Sequence, residues 1–108
     1  MKPLQFIDSS RKDLRGMPAA ARYELGVGLM TVQYGGEPKD FKPMPSIGPG
    51  AAEIRHRDDS GAFRVIYVAK FAEAVYVLHA FQKKTRKTSK ADIDLAASRY
   101  RKLIGARK

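Results

Sequence analysis

Basic side chains gather around two apolar segments of this sequence. Arg64 interrupts the apolar run 63–69, and the next apolar run, 74–81, is followed by Lys83 and Lys84. Arginine binds phosphate through two parallel hydrogen bonds, and lysine adds a compact positive charge. These residues could hold a nucleic-acid backbone and stabilise the charge that builds on a phosphorus under attack.

Four more basic residues are expected near this point, on the preceding strand or directly after the lysine pair. In the structural alternative, Arg64 pairs with Glu53 or another acidic neighbour, and the lysines are solvated. This alternative explains any single residue well, whereas the whole set favours a phosphate-binding site. The four residues expected to contact RNA are Arg55, Arg57, Arg86 and Lys87.

The positive charge is concentrated in the second half of the chain. The net charge is +10, but residues 1–54 hold seven basic and six acidic residues, whereas residues 55–108 hold 14 and five. Such an asymmetry favours a polyanionic partner, either nucleic acid or an acidic protein, because each neutralised phosphate releases counterions. The alternative is a solvated basic surface.

Two histidines and a tyrosine are further candidates for acid–base chemistry. His56 lies between two arginines, whose charge favours the neutral imidazole that a general base needs. His79 is predicted to share a strand face with Val75 and Phe81, and therefore to lie in the core. Tyr100 falls on the apolar face of the last predicted helix, although its hydroxyl could reach the edge of a cleft.

The composition excludes several kinds of site. The chain has no cysteine, so disulfides and thiolate metal sites are impossible, and two isolated histidines are a poor ligand set. We therefore assign no metal and no cofactor. No serine triad, phosphate-binding glycine loop or pair of catalytic carboxylates is visible. A signal peptide and the ~20 apolar residues of a membrane span are also absent, so we expect a cytoplasmic protein without membrane contact.

Alternating and helical patterns predict one α+β domain over residues 1–108, with the order β-α-α-β-β-β-α. The last three strands are expected to form an antiparallel meander, with the helices packed on the sheet. Residues 35–50 hold four glycines and four prolines, which predicts a loop. The predicted strands are 4–7, 51–57, 63–69 and 74–81, and the predicted helices end near Arg15, span 18–34 and follow Ser89.

Particular residues predict where the helices begin and how they pack. Ser9 and its neighbours offer cap oxygens for the first helix, and Ser89 with Asp92 forms a capping-box pattern. Gly26 and Gly28 weaken the second helix and are expected to permit close packing. In the last helix, Arg99, Arg101 and Lys102 are expected mainly off the apolar face.

Three segments together resemble a known group of proteins. The phrases GAFRVIYV, VYVLHAFQKKTRKT and ADIDLAASRYRKL are similar to the phage-derived, HigB-like branch of the RelE/ParE toxin superfamily. The resemblance covers residues 53–103 closely, and the first half agrees in the order of its elements. It implies the toxin of a type II toxin–antitoxin pair, neutralised by a small helix-turn-helix antitoxin. RelE-like members enter the ribosomal A site and cleave mRNA without a metal.

The resemblance also implies roles for particular residues. Arg64 matches the strand arginine that stabilises the scissile phosphate, and Lys83 and Lys84 match the basic end of the next strand. Arg55 and Arg57 occupy the strand on which relatives carry other basic residues.

The proton donor and the base are open in this resemblance. The sequence has no clear counterpart of the C-terminal tyrosine used by RelE, and Tyr100 is the nearest candidate. His56 and a lysine whose ionisation is altered by basic neighbours are the alternatives.

Three functions compete. The first is a ribosome-dependent mRNA endonuclease, the second a ParE-like poison of DNA gyrase, and the third a non-enzymatic module that binds RNA or the ribosome. A decayed toxin is a further alternative. In each of the three functions the neutralising partner is expected to cover or distort the basic cleft.

Overall fold

The consecutive segments of alternating apolar residues form the centre of a five-stranded sheet. The computed structural model describes residues 1–107. Three helices accompany the sheet, so the predicted α+β class is confirmed. The strands are β1 (Leu4–Phe6), β2 (Phe41–Pro43), β3 (Ala51–Asp58), β4 (Gly61–Val68) and β5 (Val75–Lys83), and the helices are α1 (Ser10–Arg15), α2 (Ala19–Gln33) and α3 (Lys90–Arg107).

The sheet has the strand order β1-β5-β4-β3-β2 and is mixed. The predicted antiparallel meander of β3, β4 and β5 is confirmed. However, β1 pairs with β5 in parallel, with Leu4 opposite Val75 and Phe6 opposite Val77. A parallel pair needs a long connection, and here α1, α2 and the strands β2 to β4 separate β1 from β5 along the chain.

The predicted loop 35–50 contains the short strand β2, so the predicted order lacks one strand. Residues Phe41–Pro43 pair with Ala52–Ile54 of β3 in antiparallel register. The strand ends at a proline and lies at the edge of the sheet, the position at which a missing backbone N–H removes no ladder hydrogen bond. The proline content therefore excludes an interior strand but not this one.

The sheet is covered on both faces. Phe63, Val65 and Tyr67 of β4 lie in one apolar cluster with residues of α2, whereas Ile66 and Val68 lie in a second cluster with residues of α3. Arg64 belongs to the α3 face, because strand side chains alternate. The alternation predicted for β4 is thus confirmed, and it places Arg64 away from α2.

A β-bulge in β5 places His79 and Val75 on opposite faces of the sheet, although they were predicted to share one face. Ile66 pairs with His79 but Tyr67 pairs with Val77, so one extra residue of β5 lies between them. Val75 consequently packs in the α2 cluster, while the His79 ring stacks on Phe81 at 4.5 Å on the α3 face. The prediction that His79 is buried is confirmed, but the prediction that it shares a face with Val75 is wrong.

Polar side chains at the helix ends differ from one helix to the next. Ser89 caps α3 as predicted, because its Oγ accepts a hydrogen bond from the backbone N–H of Asp92 at 3.1 Å. Ser9 makes no such bond at α1, since its Oγ donates to the Asp13 carboxylate at 2.7 Å. Arg99 is buried, contrary to the prediction, and its Nη1 donates to the Leu78 carbonyl at 2.9 Å.

None of the helices within residues 1–107 combines the length and the apolar character needed to cross a membrane.

The two glycines of α2 provide a test of how closely this helix packs. A Cβ at position 26 would have no atom within 4 Å, whereas one at position 28 would lie 3.0 Å from Ile54 Cγ2. We expect Gly26→Ala to raise the free energy of unfolding by about 0.5–1 kcal/mol through helix propensity. Gly28→Ala should gain less or lose stability, because Ile54 must move. Equal gains for both variants in urea unfolding would show that the contact at Gly28 is not tight.

Candidate nucleic-acid interface

A cleft of about 380 Å³ opens on the α3 face of the sheet. β2, β3, β4 and the end of β5 form its floor, and the segment between β5 and α3 forms one side. Register brings the charged residues together, since Arg55 lies opposite Arg64 and Lys83 lies opposite Ala62, two residues before Arg64. We call this the basic cleft, because six basic side chains and one carboxylate line it: Lys42, Arg55, Arg64, Lys83, Arg86, Lys87 and Glu53.

An ion pair in the floor of the basic cleft fixes the Arg64 guanidinium. Nη1 of Arg64 donates to Oε1 of Glu53, and Oε2 of Glu53 accepts a hydrogen bond from the Thr88 hydroxyl at 2.6 Å. The exposed fraction of Glu53 is 1% and that of Arg64 is 7%. A carboxylate so deeply buried requires a charged or hydrogen-bonding partner. The pairing with Glu53 considered in the sequence analysis is therefore present, and Arg64 also lines the cleft.

Only one of the nitrogens of Arg64 takes part in that pair. Within residues 1–107, no other side-chain hydrogen bond is formed by Arg64. Nε and Nη2 therefore remain able to donate to a ligand. Since Glu53, itself held by the Thr88 hydroxyl, already fixes the guanidinium in place, an anion in the cleft would meet a donor that needs little reorganisation.

Lys83 lies at the meeting point of the basic side chains. Its Nζ donates to the backbone carbonyl of Arg86, which folds the segment after β5 back over the strand end. Burial and then the charge of Arg64 lower the pKa of Lys83 below that of an ordinary lysine, while Glu53 opposes this effect. Lys83 is thus closer to releasing its proton than a solvated lysine, as a group that transfers protons must be.

Two of the predicted basic residues lie outside the basic cleft. Lys84 and Arg57 are exposed, and neither lines it. Arg57 instead borders a neighbouring hollow of about 250 Å³ that also contacts Arg55 and Arg64. The structure therefore gathers five of the predicted residues into one site: Arg55, Arg64, Lys83, Arg86 and Lys87.

His56 is directed to the other face of the sheet. It has the same strand parity as Ile54, which packs in the α2 cluster, and it borders the smaller hollow rather than the basic cleft. Its Nε2 lies 2.9 Å from Oδ2 of Asp58. Hydrogen bonds from Ser60 and then His56 lower the pKa of Asp58 to about 2. His56 is therefore held by an ionised carboxylate at the end of β3, and its role as a base stays a prediction.

Tyr100 lies in the core, as its position on the apolar face of the last helix predicts. Its exposed fraction is 6%, and its hydroxyl donates to the backbone carbonyl of Pro49 at 2.6 Å. The ring contacts Gly48, where a Cβ would come within 2.7 Å of it. The hydroxyl is thus used to attach α3 to the segment before β3, and it does not line the basic cleft.

Lys42 and Thr88 are among the cleft residues that sequence reasoning missed, and it underestimated Glu53. Lys42 lies on β2, the strand that was not predicted because its segment is rich in proline. Thr88 lies in a segment without a periodic pattern. Glu53 did carry a signal, because a carboxylate between Ala52 and Ile54 in an apolar strand needs a partner. A charged residue inside an apolar strand was also the feature that identified Arg64 on the next strand.

We expect the stability of the fold to depend on the Arg64–Glu53 pair. Arg64→Ala should lower the free energy of unfolding by about 3–5 kcal/mol, because it leaves a buried carboxylate without its partner. Adding Glu53→Gln should recover part of this loss, since a neutral amide needs no charge opposite it. Arg86→Ala, which removes an exposed arginine of the same cleft, should change stability by less than about 0.5 kcal/mol. Urea unfolding measures all three, and a double variant no more stable than Arg64→Ala would contradict the expected coupling.

A comparison with protein-family models bears on this geometry. The model described as phage-derived protein Gp49-like (DUF891) matches residues 12–101, a span that includes every residue of the basic cleft. A search among curated proteins finds no match. Since the family model covers most of the sequence, this chain belongs to the phage-derived Gp49-like family.

Proposed function

We propose that this protein is the toxin of a type II toxin–antitoxin pair and that it acts as a ribosome-dependent mRNA endonuclease. The observation that carries the proposal is the convergence of Arg55, Arg64, Lys83, Arg86 and Lys87 in one cleft. Membership of the Gp49-like family and the resemblance to HigB-like toxins support the same reading.

The basic cleft has two kinds of surface, and each suits one part of a nucleotide. Cationic side chains can hold the phosphate, and an apolar border made by Pro43, Met44, Pro45 and Ile93 can contact a base or a sugar. Its volume of about 380 Å³ lies within the range of small-ligand pockets. Single-stranded RNA can present an unstacked nucleotide to such a cleft, whereas a duplex cannot.

The proposed reaction is an attack of a ribose 2′-oxygen on the adjacent phosphorus. A bond forms between the 2′-oxygen and phosphorus, and the bond from phosphorus to the 5′-oxygen breaks. A base takes the proton of the 2′-hydroxyl, and an acid protonates the leaving 5′-oxygen. The products are a 2′,3′-cyclic phosphate and a 5′-hydroxyl, and the reaction needs no metal.

The residues of the basic cleft supply most of this chemistry in our proposal. Arg64, held by Glu53, would stabilise the negative charge that builds on the phosphate oxygens. Lys83 is the preferred proton donor to the 5′-oxygen, because its lowered pKa eases proton release at the centre of the cleft. His56 and Tyr100 remain candidates for acid–base roles, although both are placed outside the cleft.

The proposed partners follow from the charge of the basic cleft. Translated mRNA in the ribosomal A site would be the substrate, and a helix-turn-helix antitoxin would neutralise the toxin. An acidic antitoxin segment would compete with RNA for the same cations. A ParE-like action on gyrase is the alternative, and it would not depend on the basic cleft.

Cleavage should depend on Lys83 and not on its neighbour Lys84. We expect mapping of mRNA 5′ ends in a translating extract to show cuts in register with codons, present only while ribosomes translate. Lys83→Ala should reduce cutting at least about tenfold through lost charge and proton transfer. Lys84→Ala removes the same charge outside the cleft and should change it less than about twofold.

Arg64 is less suitable for this first comparison, because its loss also destabilises the fold. Equal effects of the two lysine variants would argue against the basic cleft as the reaction site. Growth arrest by the wild-type protein without any mRNA cuts would contradict the nuclease proposal and make gyrase the next target.

As the pH rises, RNA affinity should begin to fall at a lower pH than it would if Lys83 had the pKa of an ordinary lysine. Lys83 loses its charge as pH rises through its lowered pKa, so phosphate binding weakens at lower pH than an unperturbed lysine predicts. Lys83→Arg, which stays charged, should move the fall to higher pH. Fluorescence anisotropy with a 2′-O-methyl RNA, which cannot be cleaved, measures this between about pH 7 and pH 10. Lys84→Arg is the control, and identical profiles for all three proteins would contradict the prediction.

A further inference from the structure

Helix α2 carries apolar side chains on two opposite faces. One face packs on the sheet through Leu25, Leu29 and Val32. The other face points to solvent and continues into Tyr34, the residue directly after the helix. The exposed fractions are 69% for Tyr23, 36% for Val27, 49% for Met30 and 71% for Tyr34. We call these four residues the α2 stripe.

The α2 stripe is the main exposed apolar feature of the described residues. Six large apolar side chains are exposed within residues 1–107, and four of them belong to the stripe. Successive spacings of four, three and four residues keep the side chains on one side of the helix. Single exposed apolar residues are ordinary, but a contiguous row of them indicates an interaction surface.

We propose that the α2 stripe binds the same stripe of a second copy of this chain, as an antiparallel helix pair with two-fold symmetry. The spacing of the stripe reads the same in both directions along the helix. An antiparallel pair therefore places Tyr23 opposite Tyr34 and Val27 opposite Met30, twice over. Such a self-complementary surface is what a two-fold interface requires.

Charge does not oppose a second copy at the face that carries the α2 stripe. The chain has a net charge of +10, but the charged residues of α2 are Arg22 and Glu24 alone, whose charges cancel. Two copies that meet through α2 thus avoid bringing their basic second halves together.

The area of the stripe determines how strong the dimer can be. A tyrosine buries roughly 150–250 Å² when it is fully covered, so the exposed parts of the four residues amount to on the order of 400 Å² per copy. Stable interfaces bury about 800 Å² per partner. The dimer is therefore weak and reversible, and concentration controls it.

The dimer leaves the basic cleft accessible. The stripe lies on the solvent side of α2, whereas the cleft opens on the α3 face of the sheet. Both clefts of a dimer would face outward. The inference does not depend on the proposed function, because it uses none of the residues of the cleft.

Sedimentation velocity over a range of concentrations from about 1 µM to about 1 mM tests the proposal, since weak interfaces dissociate in this range. We expect a monomer–dimer equilibrium for the wild-type protein. Met30→Asp should weaken it at least about tenfold, because it buries a charge in the stripe. Leu95→Asp is the matched control, since Leu95 is also apolar and exposed, at 39%, but lies on α3.

A wild-type protein that stays monomeric at the highest concentration would overturn the proposal. So would an unchanged dimer in Met30→Asp, or a dimer that Leu95→Asp weakens as much as Met30→Asp does.

Discussion

The ion pair between Arg64 and Glu53 links the stability of the sheet to the properties of the basic cleft. Both residues lie on central strands and on the same face, and both are almost fully buried there. The carboxylate makes the burial of the guanidinium possible, and Thr88 occupies the remaining oxygen of that carboxylate. A cation held in this way is already desolvated and oriented before any anion arrives, which is the condition under which a charge stabilises a reacting phosphate most effectively.

The bulge in β5 has a comparable influence on the α3 face. By adding one residue between the pairing partners of Ile66 and Tyr67, it turns His79 and Phe81 towards α3. Arg99 reaches back from α3 to the Leu78 carbonyl at the bulge and to the Ser9 hydroxyl near α1, at 2.9 and 3.0 Å. The helix is therefore positioned by polar contacts as well as by apolar packing. Since the segment between β5 and α3 borders the basic cleft, the position of α3 also determines the shape of that cleft.

Local patterns in the sequence predicted the meander, the three helices and the alternation along β4, because these features depend on neighbouring residues. Features that depend on distant residues were missed: the parallel pairing of β1, the edge strand β2 and the bulge that moves His79. The same distinction holds for the candidate site. Arg64 and Lys83 were predicted because one hairpin holds both, whereas Lys42 and Thr88 enter the cleft only through tertiary packing. Arg99 was predicted to lie off the apolar face because a charged side chain favours solvent. In the buried position, hydrogen bonds to the Leu78 carbonyl and the Ser9 hydroxyl satisfy its two terminal nitrogens.

The two faces of the sheet have separate chemical characters, and the order of charge along the chain explains the separation. The nearly neutral first half supplies α2, which covers one face and presents an apolar outer surface. The basic second half supplies most of β3, β4, β5 and α3, and five of its basic residues converge on the other face: Arg55, Arg64, Lys83, Arg86 and Lys87. The basic cleft therefore attracts a polyanion to its own side of the molecule, while the outer face of α2 carries little charge that would oppose other contacts. The nucleotide proposed for the basic cleft and the second copy proposed for the α2 stripe therefore use separate surfaces of one small domain.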